Sequence, residues 1–256
     1  MTSEPPGPPT GPLKSPSTPE PDPRRKKRRI TVLAVAGGAA VIVIVLVVVM
    51  LLGKGDNPGR SQTEAQQLAE EVSPRPADWG PGFSDTQSTA STDEYSVADD
   101  CKVSTKAARP GTTHSLSRAV SRKNPETNAY STVTVYNTAK TAESFMKDLE
   151  SGIQRCPKQE GDGYGWENVR QGSAAQLSGF DQAVVREAAY YEVDSNNQKI
   201  QTANALAAGR SGDVVLSTEV DAPPGQENQV RDIAVKTLQL MQKRLAEKEK
   251  ALPAKH

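Results

Sequence analysis

Histidine, cysteine and aromatic side chains are scarce in this 256-residue chain, which has two His, two Cys, two Trp, three Phe and six Tyr. With His114 and His256 as the only imidazoles, a multi-histidine metal centre is excluded. Two Cys likewise exclude a four-cysteine zinc site and a disulfide-dense miniprotein. Net charge is also missing, because 31 Lys+Arg stand against 31 Asp+Glu. That zero averages over opposed segments. Residues 1–29 carry seven basic and three acidic side chains, a net of +4; residues 30–52 carry no charge; residues 53–256 carry 24 against 28, a net of −4. The chain is tripartite, and each part needs its own reading. The 29-residue tail is expected to hold no kinase-sized or dinucleotide-binding domain.

Ile30 to Leu52 is a run of 23 residues in which only Thr31, Gly37 and Gly38 fall outside the Ala, Val, Ile, Leu and Met set. As a helix it would reach about 34 Å, enough to cross a hydrocarbon core about 30 Å thick. A cleavable secretory signal is the rival reading, since Ala34-Val35-Ala36 has the form of a cleavage site. Its apolar stretch is normally only about 7 to 15 residues, however, and this run continues well beyond Ala36. A buried core helix is the other reading, made the weaker one by the β-branched run Val41 to Val49 with no polar face at all. The run therefore reads as an uncleaved signal-anchor, a single transmembrane helix.

Arg24, Arg25, Lys26, Lys27, Arg28 and Arg29 abut its N-terminal end, against Lys54 and Arg60 on the other side. This asymmetry is expected to hold the N-terminus in the cytoplasm and residues 53 onward outside. Nucleic-acid binding or a twin-arginine export signal would be the other uses of such a run. Direct contact with the apolar span favours a topology anchor that also meets anionic lipid heads, with no nucleic-acid partner.

The tail, residues 1–29, holds nine of the 19 prolines, with only Met1 and Leu13 as other apolar residues, so it cannot bury a core and reads as disordered. It is a spacer or, through Pro6-Gly7-Pro8-Pro9, Ser15-Pro16 and Thr18-Pro19, a docking or phosphorylated segment for a cytoplasmic partner. Residues 53–64 form a linker, 65–248 one extracytoplasmic domain, and 249–256 a flexible C-terminus. Leu, Ile, Val and Phe make up 31 of the 204 outer residues, so the core is expected to be modest and to need a staple. Cys101 and Cys156 both lie on the side assigned to the oxidising exterior and are expected to pair within the chain. A free redox pair and intermolecular bridges are the alternatives.

Periodicity predicts a short helix over Gln62 to Val72, then a loop-like stretch from Ala77 to Asp100. Strands are expected around His114 to Arg122 and Ala129 to Tyr136. Ala142, Phe145, Met146, Leu149 and Ile153 predict an amphipathic helix over 139–155 that delivers Cys156. Strands follow at Gln182 to Val193, Lys199 to Ala208 and Asp213 to Val220, with turns short enough to require antiparallel pairing. A last helix is expected from Gln226 to Lys248. The fold class is α+β: an antiparallel sheet of about five strands with two long helices on one face, preceded by the transmembrane helix.

Motifs for chemistry are weak. Gly161-Asp162-Gly163-Tyr164-Gly165 lacks the preceding strand and following Lys-Ser/Thr of a phosphate loop and reads as a flexible loop. Gly209-Arg210-Ser211-Gly212 has Asp213 where a nucleophile elbow needs its second Gly, and reads as a hairpin turn. His114 reads as a surface position on a strand or loop, and Asp99-Asp100 is a common polar-loop pair. No catalytic, cofactor-binding or metal-ligating residue is nominated, no cofactor is expected, and enzymatic activity is not expected. Two or three of Trp79, Tyr95, Tyr136, Trp166, Tyr190 and Tyr191 lining a pocket would be informative, although core packing explains each equally well.

Val133-Thr134-Val135-Tyr136 entering Ala142-Glu143-Ser144-Phe145, the helix ending Arg155-Cys156-Pro157, Gly179-Phe180-Asp181-Gln182-Ala183 and Arg210-Ser211-Gly212-Asp213-Val214-Val215 occur in an order that resembles a known family. It is the extracytoplasmic sensor domain of actinobacterial PknH-type serine/threonine kinases. The resemblance covers residues 65 to 246 and implies a twisted antiparallel sheet backed by helices, with a cleft for an unidentified envelope ligand. This chain departs from the kinase sensor in having one potential disulfide rather than two and no kinase domain. The expected function is that of a membrane-anchored sensor-like or ligand-binding protein of the cell envelope. A structural or assembly-partner role is the alternative, and an envelope enzyme comes last. A pocket flanked by aromatics with a convergent Arg or Asp would favour ligand binding, and a flat apolar patch would favour assembly.

Overall fold

The computed structural model describes residues 59–90 and 93–251. The proline-rich tail, the apolar run 30–52 and the basic cluster Arg24 to Arg29 lie outside the described residues, as do 53–58 of the linker and 252–256. Among the described residues no helix is long and apolar enough to cross a membrane.

Helix α1 (Gln62–Val72) starts at a reciprocal cap in which Ser61 Oγ accepts from the Glu64 amide at 3.3 Å and Glu64 Oε2 accepts from the Ser61 amide at 2.8 Å. Ala65, Leu68, Ala69 and Val72, at helical spacing, are its buried face. After a 3-10 turn at Pro76–Trp79 come β1 (Ser84–Ala90) and β2 (Asp93–Val97), inside the stretch expected to be a loop. Then follow β3 (Val103–Ala107), β4 (Thr112–Lys123), β5 (Glu126–Tyr136), α2 (Ala139–Arg155), β6 (Gln159–Glu160) and β7 (Tyr164–Gln171). Three long strands and a helix close the fold: β8 (Gln182–Val193), β9 (Lys199–Ser211), β10 (Val214–Ala222) and α3 (Glu227–Ala251).

Eight strands rather than about five form the main sheet, in the order β1-β4-β5-β10-β9-β8-β7-β6, and each neighbouring pair is antiparallel. Of the additional strands, β1 and β6 are the two edges of the sheet, and β7, which buries Trp166 and Val169, lies just inside β6. β2 and β3 pair separately as a hairpin.

The two long helices lie on opposite faces, which corrects the expectation that they share one. Along β10, Val214, Leu216 and Val220 join the core under α1 and α3, whereas Val215 joins the one under α2. Adjacent strands divide in the same way, with Val135, Val185 and Ala207 facing α3, and Tyr136, Val184 and Ala208 facing α2. Successive strand residues point to opposite faces, so a strand apolar at both parities needs a cover on each side. Ala203, Ala205 and Ala207 present a low surface to α3, and the Thr218 hydroxyl donates to the Ala234 carbonyl at 2.9 Å. The periodicity of α3 predicts a stripe of Val230, Ile233, Ala234, Leu238, Met241 and Leu245, of which all are buried except Ile233, which is partly so.

Candidate functional site

Helix α2 covers only part of its face of the sheet. Beyond Val215, the β10 residues of the same parity are Ser217, Glu219 and Asp221, so the strand changes from apolar to acidic as it leaves the shelter of α2. The neighbouring strands change with it. The register sets Tyr130 and Leu206 beside Glu219 and Arg186 beside Leu206, and in the next row Asn128 and Asn204 beside Asp221. Thr202, Tyr190 and Trp166 form the following row, with Ile200, Glu192 and Tyr164 beyond it.

These strands enclose a bowl of about 340 Å³ whose wall comes entirely from β5, β7, β8, β9 and β10. Two aromatics named from the sequence, Trp166 and Tyr190, line it, and Tyr130 and Tyr164 join them. The exposed large hydrophobic residues among the described ones are Tyr130, at 44%, and Ile200, at 59%, and both belong to this wall. A larger groove, about 650 Å³, runs along the outer side of α3 past Leu240 and Lys243, lined by Gln, Lys and Glu side chains and without an aromatic ring.

Trp166 organises the aromatic side. Its ring meets those of Tyr190 at 5.2 Å, Tyr95 at 5.5 Å and Tyr164 at 5.7 Å, the last two edge-on. The guanidinium carbon of Arg186 stands 4.8 Å from the Trp166 ring centroid. Glycines permit this packing. A Cβ on Gly165 would come 2.4 Å from the Gln159 carbonyl oxygen, and one on Gly161 would come 2.4 Å from the Tyr164 ring. Of the expected flexible loop 161–165, only residues 161–163 connect β6 to β7, and Tyr164 and Gly165 already belong to β7.

The β2–β3 hairpin buttresses the same ring from behind. Tyr95 on β2 reaches Trp166, and its hydroxyl donates to Gln159 Oε1 at 2.8 Å. Cys101, in the β2–β3 connection, forms a disulfide with Cys156 at the end of α2, with a Cα–Cα distance of 5.5 Å. The expected intramolecular pairing is present, and it ties the hairpin to the helix.

Arg186 is 2% exposed, and its charge is used inside the fold. It donates to Glu219 Oε1 at 2.6 Å and to Asn204 Oδ1 at 3.0 Å. Asn204 Nδ2 donates onward to Glu219 Oε1 at 2.9 Å and Asp221 Oδ1 at 2.8 Å. Among the described residues, Asp221, Glu192 and Glu126 have no ion-pair partner. Burial pushes the Asp221 carboxyl up to about 7; Glu219 adds to the rise, while the Asn204 hydrogen bond and the Arg186 charge oppose it. Burial, and then the bond to Glu192, raises the Tyr190 phenol, whose hydroxyl donates to Glu192 Oε1 at 2.6 Å. Trp166 Nε1 and Thr202 Oγ1, both on wall residues, are buried without a hydrogen-bond partner. Polar groups buried in this way ordinarily have partners.

Several residues singled out from the sequence are elsewhere. His114 lies on β4 with Nε2 buried and unpartnered, and it is not part of the bowl wall. Asp99 and Asp100 form the β2–β3 turn, and Arg210, at the end of β9, pairs with Asp181 at 3.1 Å. Glu219 and Asp221 were legible as polar residues breaking the apolar run of β10, whereas Tyr130 sits in a parity of β5 that is polar from Glu126 to Thr134 and gave no such signal; neither pattern said which face is left uncovered.

No family model matches the chain, and no curated protein matches it. Among solved structures one likeness is to an extracellular domain. It is the crystal structure of the extracellular domain of PknH from Mycobacterium tuberculosis, with a TM-score of 0.43, 15% identity, and coverage of 74% of this chain and 100% of that one.

Proposed function

We propose that this is a membrane-anchored, sensor-like ligand-binding protein of the cell envelope, non-catalytic, with the sheet bowl as its ligand site. Residues 30–52 are the anchor, the basic cluster before them faces the cytoplasm, and residues 59–251 stand outside. The observation that carries the binding reading is the convergence of four aromatic rings and four carboxylates on a part of the sheet that no helix among the described residues covers. Placement outside is supported by the charge asymmetry around the apolar run and by a disulfide, a bond at home in oxidising compartments. The large exposed apolar side chains belong to the bowl rather than to a flat patch, which favours a ligand over an assembly surface.

Native mass spectrometry of the full-length chain released from detergent tests this, with wild type compared to the Tyr130→Ala, Tyr190→Ala double variant. A small-molecule adduct on wild type that is lost from a folded variant is the expected result. Absence of any adduct, together with no thermal shift from any envelope lipid, glycan or peptidoglycan fragment, would overturn the reading. For the anchor, protease added outside intact cells is expected to remove the domain and spare an epitope fused at residue 1.

A further inference from the structure

We propose that the bowl selects an organic ammonium ion, seating the cationic nitrogen between Asp221 and Glu192 and its apolar body against Tyr130 and Ile200. This rests on the bowl being the ligand site and specifies what it takes.

Charge carries the first step. Glu126, Glu192, Glu219 and Asp221 line the bowl, and no Lys or Arg does. Arg186 lies beneath the wall and is already paired with Glu219, so up to three carboxylates have no cation of their own. An anionic ligand would meet uncompensated like charge, whereas a cation supplies what the wall lacks.

The second step is the aromatic wall. Ring faces attract cations electrostatically, most strongly where water is displaced, and Tyr130, Tyr164 and Tyr190 surround the acidic floor. Burial is the leading cause of the raised Tyr130 and Tyr190 phenols, and Asp221, Glu219 and Glu192 push both in the same direction, so rings and carboxylates act on one small volume. A bare metal ion is a poorer fit, because no three acidic, His or Cys side chains among the described residues converge closely enough to hold one. Exposed Tyr130 and Ile200 would have nothing to cover in a metal complex, but they match the carbon skeleton of an organic cation.

The third step is the proton. Facing Asp221 are Glu219 on its own strand, Arg186, Glu192 and Tyr190 on β8, Asn204 on β9, and Tyr130 on β5, while Glu126 stands at the hairpin end of β5 opposite Lys123. With the carboxyl titrating near neutrality, the ammonium is held well above that point, and the site weakens as Asp221 takes up a proton below it.

The test uses the full-length chain in a polyoxyethylene detergent, with Trp79→Phe leaving Trp166 as the fluorescent reporter. Probes are n-pentylammonium, choline, 1-pentanol and N-acetylglucosamine, titrated to about 50 mM at about pH 8 and about pH 5.5. Saturable responses to the two ammonium probes, weaker by roughly tenfold or more at the lower pH and in Asp221→Asn, with none to pentanol, are expected. Because Asn can still accept from Asn204, that variant should fold, and Glu192→Gln, at an exposed position, gives an independent loss. Equal responses to pentanol and pentylammonium, or no change with pH or in Asp221→Asn, would overturn the ammonium assignment. Saturable binding of N-acetylglucosamine alone would overturn it as well while keeping the bowl as a ligand site. Silence to every probe sinks the ammonium assignment but leaves the ligand-site reading to the native mass measurement.

Discussion

Arg186 stands 4.8 Å from the Trp166 ring centroid while one of its nitrogens donates to Glu219 at 2.6 Å, so a single buried cation supports both the aromatic and the acidic side of the bowl. Removing it leaves Glu219 beside Asp221 without compensation. Arg186→Met is expected to lower stability by about 2 to 4 kcal/mol, toward the lower end for breaking a buried pair because Glu219 is partly exposed. Adding Glu219→Gln should restore most of the loss. Urea denaturation of the four members of this cycle measures the coupling, and strictly additive losses would show that the pair does not act as a unit.

The disulfide closes a span of 55 residues, for which loop-closure entropy gives about 4 kcal/mol. The Cys101→Ser, Cys156→Ser double variant should unfold at correspondingly lower denaturant. It should also free the β2–β3 hairpin that carries Tyr95, shifting Trp166 emission to longer wavelength before global unfolding. Retention of the wild-type midpoint would contradict this.

Asp221 makes stability depend on pH in a defined direction. Its carboxyl titrates near 4 when unfolded and about 7 when folded, so within that window the folded state holds the extra proton. This group's contribution is therefore lost as pH rises from about 4 through about 7. Asp221→Asn should be more stable than wild type by about 1 to 3 kcal/mol at about pH 8, with the two curves converging below about pH 4. Denaturation midpoints across that range check it. A gap that widens toward acid would reverse the assignment.

Two glycines of one hairpin should respond differently to alanine. At Gly165 a Cβ would lie 2.4 Å from the Gln159 carbonyl oxygen and 2.8 Å from the Tyr191 hydroxyl, so Gly165→Ala is expected to lose about 2 to 4 kcal/mol and displace Trp166. At Gly163 nothing lies within 4 Å, and only its φ of +78° opposes substitution, for a loss of about 1 kcal/mol. Thermal melts and Trp166 fluorescence of both variants separate steric from backbone effects.

Much of this architecture is readable from residue alternation. The parity of Val133 and Val135, the turn after Val193, and the stripe from Val230 to Leu245 all correspond to observed elements. β1 and β2 escaped because Ser84–Ala90 and Asp93–Val97 are rich in Ser, Thr and acidic residues, the composition of loops, and β7 because Tyr164–Gln171 shows no clean apolar alternation; all three are strands by virtue of their neighbours. The sides of the helices escaped for another reason. With Val214, Val215 and Leu216 in succession, local pattern cannot say which face each helix covers. Glu219 and Asp221 acquire meaning only when α2 is seen to end its cover short of them.

The strand order also has a bearing on how these molecules behave when crowded. One border of the sheet is β1, a polar strand whose register with β4 slips at Asp85/Gln87; the other is β6, two residues long. Neither offers the long, regular, apolar ladder that a second chain needs to extend a sheet. At high concentration such domains can meet repeatedly without joining edge to edge, so the concave face stays open to solvent instead of being lost to fibre-like stacking.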